Sequence, residues 1–190
     1  MFEVRIRLNL RSSGMRQVVK RPYLVHKRLF GITPPKERVL WRMMNNQIVI
    51  RSSKPLDWQQ FDDWYPDFGE RNHSKIYTTF RVGQQLAFNV LAYARGHQNL
   101  EGQWSPKDAE EYPDWIRNQG ERLGFKVTEV GALKQEPYFV RMSSMDILLL
   151  PTELMGGLQI TDVAAFEGAL ANGVGRMRGY GCGLLLIRHL

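Results

Sequence analysis

Apolar and polar residues alternate from the start of the chain: Phe2, Val4, Ile6, Leu8 and Leu10 are separated by Glu3, Arg5, Arg7 and Asn9. A period of two marks a strand with one buried face. Residues 21–30 switch to helical spacing, with Pro22 suited to the first turn and Gly31 to the stop. Residues 39–44 and 47–51 form a hairpin pattern around Asn45-Asn46, a pair that tolerates the positive φ of a tight turn. Residues 56–64 predict a short helix, and residues 76–80 a closing strand. The order is β-α-β-β-α-β, the ferredoxin-like arrangement.

The second half repeats that order. A turn at Arg81-Val82-Gly83 precedes the alternation of Leu86, Phe88 and Val90. Residues 94–103 predict a loop. Ser105, Pro106 and Asp108 supply an N-cap, a first position and a first-turn acid for a helix that runs to Leu123 and stops at Gly124. Pro113 predicts a kink inside it. Strand patterns follow at residues 126–130, 138–142 and 146–150. Thr161 caps a last helix with Val163, Phe166 and Leu170 on one face and Gly173 at its end. Residues 182–187 supply an apolar final strand. The prediction is an α+β protein of two tandem ferredoxin-like (RRM-like) domains, residues 1–82 and 83–190.

Composition narrows the class. Of 190 residues 43% are hydrophobic, ordinary for a globular protein, and no apolar run approaches a bilayer span. The alternating N-terminus argues against a signal peptide. A single cysteine, Cys182, excludes an internal disulfide and suits a reducing cytoplasm. The formal charge of +7 favours a polyanionic partner, most simply nucleic acid. His73, His97 and His189 are scattered, and no Cys/His cluster has ligand spacing, so no metal is expected. Asp62-Asp63 and Glu110-Glu111 are adjacent pairs whose side chains point apart, as on solvated faces. Trp58, Phe61, Trp64 and Tyr65 have the spacing of core or seam residues rather than of a base-stacking platform.

Two segments carry chemistry. The first is Gly173-Val174-Gly175-Arg176-Met177-Arg178-Gly179-Tyr180-Gly181-Cys182-Gly183, with five glycines and two arginines. Glycine permits positive φ and close backbone approach. Successive backbone N–H groups form anion-binding concavities, and the arginine fork suits phosphate. The run lacks the Lys-Ser/Thr ending of a P-loop and precedes a strand, which argues against a nucleoside triphosphate. The bland alternative is a flexible turn with solvated charges. The second segment holds Tyr23 and His26, three residues apart on one helix face. Imidazole exchanges a proton near neutral pH, and a phenol can hold a hydroxyl or phosphate oxygen. Lys27 and Arg28 add charge beside them. RNA carries its own 2′-hydroxyl nucleophile, so a protein needs only to position it, move a proton and stabilise charge. The alternative is a surface histidine beside a tyrosine packed at the helix edge.

Pro22-Tyr23-Leu24-Val25-His26-Lys27-Arg28-Leu29 resembles the Tyr-x-x-His helix of the CRISPR RNA-processing endoribonucleases of the CasE type. Gly83-Gln84-Gln85-Leu86-Ala87-Phe88 is similar to the Gly-x-x-Leu-x-Phe stretch opening their second domain, and residues 173–185 to their C-terminal glycine-rich signature. Where family members carry an Arg-Ala-Asn-Pro-like run, this chain has Leu91-Ala92-Tyr93-Ala94-Arg95. The resemblance implies two ferredoxin-like domains that cut repeat RNA at the base of a stem-loop without metal or small-molecule cofactor. It also implies that the product stays bound within a larger surveillance complex.

On that resemblance His26 would be the general acid/base and Tyr23 would orient the 2′-hydroxyl or the scissile phosphate, leaving a 2′,3′-cyclic phosphate and a 5′-hydroxyl. Gly173, Gly175, Arg176, Arg178, Gly179, Tyr180 and Gly181 would hold the backbone near the cut, with Lys27 and Arg28 beside it. Lys126, Lys134 and Arg141 would contact the stem through phosphates, because the major groove of A-form RNA is deep and narrow. Two other functions compete: a subunit that holds guide RNA without cutting it, and a ferredoxin-like protein binding a small phosphate ligand.

Overall fold

The computed structural model describes residues 1–35, 37–44, 46–64, 68–75, 79–98, 104–142 and 145–190. The chain forms two compact units. One comprises Met1–Tyr77, Tyr138–Leu149 and Gly179–Gly181; the other comprises Thr78–Pro137, Leu150–Arg178 and Cys182–Leu190.

In the first unit β1 (Phe2–Leu8) is followed by helices α1 (Ser13–Lys20) and α2 (Pro22–Gly31). Then come β2 (Val39–Met44), β3 (Gln47–Ser52), α3 (Trp58–Trp64) and β4 (Phe68–Lys75). The antiparallel sheet has the order β2-β3-β1-β4, that of a ferredoxin-like domain. Val4, Ile6 and Leu8 of β1 bury one face, with Ile48, Ile50 and Trp41 beside them. The helices close that face with Met15, Val18, Val25, Leu29 and Phe61. Each such side chain contributes about 1.5–3 kcal/mol when fully buried. On the opposite face Glu3 is buried and joins the buried Arg51 at 2.8 Å and Arg5 at 3.0 Å.

Two expectations are corrected in this unit. Helix α1 is not among the predicted elements; Ser12 caps it by accepting from the Met15 N–H. The closing strand is β4, upstream of residues 76–80: residues 76–78 lie outside the described residues, and Thr79 and Phe80 are not in a strand. Trp58 packs edge-on against Phe61 in the core, whereas Asn45, Tyr65 and the Trp64 side chain lie outside the described residues.

In the second unit the elements are β5 (Gln85–Ala92), β6 (Arg95–Gln98), β7 (Trp104–Pro106), α4 (Tyr112–Arg122) and β8 (Phe125–Lys134). A hairpin of β9 (Tyr138–Met142) and β10 (Met145–Leu149) leaves to join the first unit, where β9 packs against α2. The second unit resumes with β11 (Thr152–Ile160), α5 (Val163–Asn172) and β12 (Leu186–His189). Its sheet order β12-β5-β11-β8 is again the ferredoxin-like order. Phe166 anchors the helix layer, edge-on to Phe80 at 5.1 Å and to Phe125 at 6.0 Å.

Local chemistry explains where the sequence expectations shift. Residues 94–103 do not form a plain loop, since β6 and β7 pair; residues 99–103 lie outside the described residues. Asp108, not Ser105, caps the helical segment, in a reciprocal capping box with Glu111. Pro113 therefore falls in the first turn of α4, where it lacks no hydrogen bond and produces no kink. Asp162, one residue after Thr161, caps α5 by accepting from Ala165 N–H at 3.0 Å. Residues 182–185 precede the last strand.

Candidate functional site

Helix α2 is oriented by its own apolar pair. Val25 and Leu29 are buried four residues apart, which turns Tyr23, His26 and Phe30 to a neighbouring face. The His26 ring lies 6.3 Å from Tyr23 and 6.0 Å from Phe30, centroid to centroid. It lies closer still, at 4.7 Å, to Tyr180. The residues of the glycine-rich run that join this unit are Gly179–Gly181, so the histidine and this bend meet within one unit.

Two aromatic residues fix the bend. Trp41 on β2 donates its indole N–H to the Gly179 carbonyl at 2.9 Å, and Tyr138 on β9 donates its hydroxyl to the Tyr180 carbonyl at 2.7 Å. Gly181 has φ +93°, and a side chain there would press on the Trp41 ring. At Gly179 a Cβ would lie 3.2 Å from His26 Cε1, so glycine is what lets the ring come this close. Partial burial lowers the His26 pKa below its ordinary value, and a hydrogen bond to the Gly179 backbone opposes that shift. The ring is consequently neutral at physiological pH and able to accept a proton. Lys27 is exposed and Arg28 half-buried on the same helix.

The preceding part of the run belongs to the second unit and is pinned by backbone hydrogen bonds. Val174 N–H donates to Gly183 O, Gly183 N–H to Leu91 O, and Arg176 N–H to Tyr93 O. Gly173 and Gly175 have φ of +76° and +80°. Arg178 donates to the Asn172 carbonyl at 2.8 Å, at the end of α5, so one of its roles is to cap that helix. Backbone hydrogen bonds thus order this segment, while the Arg176 side chain is exposed to solvent. Arg176 and Arg178 line a cleft of about 450 Å³ with Arg95, Arg122, Trp115 and Gln119.

The stem-contact candidates are dispersed. Lys126 and Lys134 are exposed on β8, an edge strand of the second unit. Arg141 is on β9 in the first unit, paired across the hairpin with Asp146 at 3.2 Å. Sequence reasoning missed Trp41, Tyr138 and the cleft residues Arg95, Arg122 and Trp115. Trp41 meets Gly179 across 138 positions, which no local pattern encodes. Among the described residues, no three His, Cys, Asp or Glu side chains group as a metal site, and no helix is long and apolar enough to cross a membrane.

Residues 1–189 match the model of a family described as CRISPR associated protein. No curated protein matches the chain. Among solved structures, it is similar to CRISPR endoribonuclease Cse3 bound to a 19-nucleotide RNA. The identity is 21%, with 99% of this chain and 100% of that chain covered, at a TM-score of 0.86. Cse3 of Thermus thermophilus, bound to an RNA representing a pre-cleavage complex, gives 21% identity, 98% coverage of each chain and a TM-score of 0.83. Cas6e of Escherichia coli K-12 gives 15% identity over 100% of both chains, at a TM-score of 0.72.

Proposed function

From the premise that the chain belongs to the CRISPR-associated protein family, we propose that it is a metal-independent endoribonuclease. It cuts CRISPR repeat RNA at the base of a stem-loop and keeps the mature guide as part of a surveillance complex. The observation that carries this reading is the contact of the His26 ring with the Gly179–Tyr180 bend. The similar structures support it, being named as endoribonucleases bound to RNA and as a CRISPR RNA-guided surveillance complex.

In this mechanism His26, neutral because it is partly buried, takes the 2′-hydroxyl proton on the ring nitrogen not engaged with Gly179. The 2′-oxygen attacks the adjacent phosphorus, the bond to the 5′-oxygen breaks, and that oxygen takes a proton back from the His26 imidazolium. The products are a 2′,3′-cyclic phosphate and a 5′-hydroxyl. Tyr23 orients the 2′-hydroxyl or the scissile phosphate, and Tyr180 packs against the nucleotide at the cut. Lys27 and Arg28 offset phosphate charge, as do Arg176 and Arg178 on the chain segment leading into the bend. Lys126, Lys134 and Arg141 hold the stem through its phosphates.

The test is cleavage of the repeat RNA from the protein's own locus. His26→Ala abolishes cutting and leaves RNA affinity within a few-fold; persistent cutting would show that the base is misassigned. A 2′-deoxy substitution at the scissile nucleotide stops the reaction, and EDTA does not. If wild-type protein binds repeat RNA in a salt-dependent way yet never cuts it, the non-cutting guide-binding role replaces this one.

A further inference from the structure

We propose that the cleft of the second unit is a subsite for one unpaired nucleotide of the RNA, adjacent to the paired stem; this rests on the endoribonuclease reading. Four arginines, Arg95, Arg122, Arg176 and Arg178, line it together with Trp115 and Gln119, and no acidic side chain among the described residues does. Guanidinium groups gathered in one concavity favour an anionic ligand there. Arg122 has no ion pair among the described residues, and it is exposed, as are Arg95 and Arg176. Arg95 and Arg176 line the same cleft as Tyr93.

Size and shape select the ligand. About 450 Å³ lies in the range of small-ligand sites, about 300–1,000 Å³, and holds a nucleotide but not a duplex. Trp115 supplies an aromatic surface. Its ring is propped edge-on by Tyr112 at 5.6 Å, and its six-membered ring lies under Gly175, where a Cβ would come within 3.1 Å. A base stacks on such a ring whatever its identity, while guanidinium forks take the flanking phosphates. The Gln119 amide, also in the wall, can hydrogen-bond a base edge. Unpaired nucleotides are the part of an RNA that exposes both base and phosphate in this way.

The test compares two repeat RNAs, a bare stem-loop and the same stem-loop with unpaired flanks, against wild type and the exposed-residue variant Arg95→Ala/Arg122→Ala. The flanks tighten wild-type binding at least ten-fold. The variant loses that gain, binds the bare stem-loop within two-fold of wild type and melts at the wild-type temperature. For flanked RNA the slope of log affinity against log salt becomes shallower by about 0.7 for each phosphate the variant no longer neutralises. A 5-iodouridine in the flank cross-links to the peptide containing Trp115. Equal loss on both RNAs, or loss on neither, overturns the subsite. So does wild-type binding of free 5′-UMP or inorganic phosphate at submillimolar concentration when flanks add nothing, which would mark a small-anion site. Wild-type protein that neither binds nor cuts the repeat overturns the endoribonuclease reading itself. Wild-type cutting with no flank effect overturns the subsite alone.

Discussion

Replacing Gly179 with alanine tests whether the closeness of bend and imidazole matters to the reaction. The added carbon would lie 3.2 Å from His26 Cε1 and 3.3 Å from Nδ1. Unstrained heavy-atom contacts sit at about 3.5–4.0 Å, so the ring or the bend must yield by a few tenths of an ångström. Misplacement by about 1 Å can cost about 100-fold in rate. On that scale the shift costs about five-fold, or about 1 kcal/mol of barrier. Stability should barely change, because the half-buried ring can give. The assay is single-turnover cleavage of repeat RNA at saturating protein, with affinity and melting temperature measured alongside. Gly168→Ala on α5 is the control. An added carbon there meets nothing within 4 Å, so the substitution should stabilise by about 0.5–1 kcal/mol and leave cleavage alone. If Gly179→Ala cuts at the wild-type rate, or slows no more than Gly168→Ala, the bend does not set the position of the imidazole in the reacting complex.

Trp41→Phe and Tyr138→Phe each remove one donor to the bend while keeping an aromatic ring. Tyr138→Phe should cost about 1 kcal/mol in chemical denaturation and Trp41→Phe more, because the buried indole leaves a cavity as well; both should slow cleavage without weakening RNA binding, and an unchanged rate in both would separate the bend from catalysis. Because the His26 pKa is lowered in the fold, the acid limb of the pH–rate profile should have its midpoint below 6.5, the ordinary histidine value. The same shift means the unfolded chain binds the proton more readily. His26 thus lowers stability as pH falls from 6.5 through its folded pKa and has no such effect above 6.5; melting curves of wild type and His26→Asn from pH 8 to 5 should diverge only on the acid side. Gly124→Ala should be the most damaging of these changes. Its φ is +76° and the Asp162 and Phe166 backbone fills the space, so a loss above about 3 kcal/mol, roughly 6–12 °C in melting temperature, is expected.

Much of this architecture can be read from residue order because apolar spacing changes period where elements change. The alternation in β1 and the Val25–Leu29 spacing of α2 both survive in the fold. The element the sequence hides most completely is β11, a central strand of the second sheet. Gly156-Gly157 at its middle has the look of a break. In the structure Gly156 lets β11 lie against the Glu129 carbonyl of β8, where any side chain would overlap backbone, and the register shifts beside Gly157. β4 escapes detection for a different reason: Phe68-Gly69-Glu70-Arg71-Asn72-His73-Ser74-Lys75 has no apolar alternation, and its pairing with β1 alone makes it a strand. Of the candidate site, the Tyr23–His26 pair is legible because i, i+3 spacing is a local fact. Trp41 and Tyr138 are not, because what they do depends on a segment far along the chain.

That separation also has a temporal side. His26 leaves the ribosome early, whereas Gly179, the partner of Trp41, follows that tryptophan by 138 residues. At about 5–20 residues per second, synthesis of the intervening polypeptide takes roughly 7–28 seconds. For that interval the nascent protein carries His26 without the backbone bend that presses on it, and a product cut short before residue 179 never acquires it. If the bend positions His26 as proposed, cleavage awaits synthesis of residue 181, and a ribosome-bound chain ending before residue 179 should not cut repeat RNA.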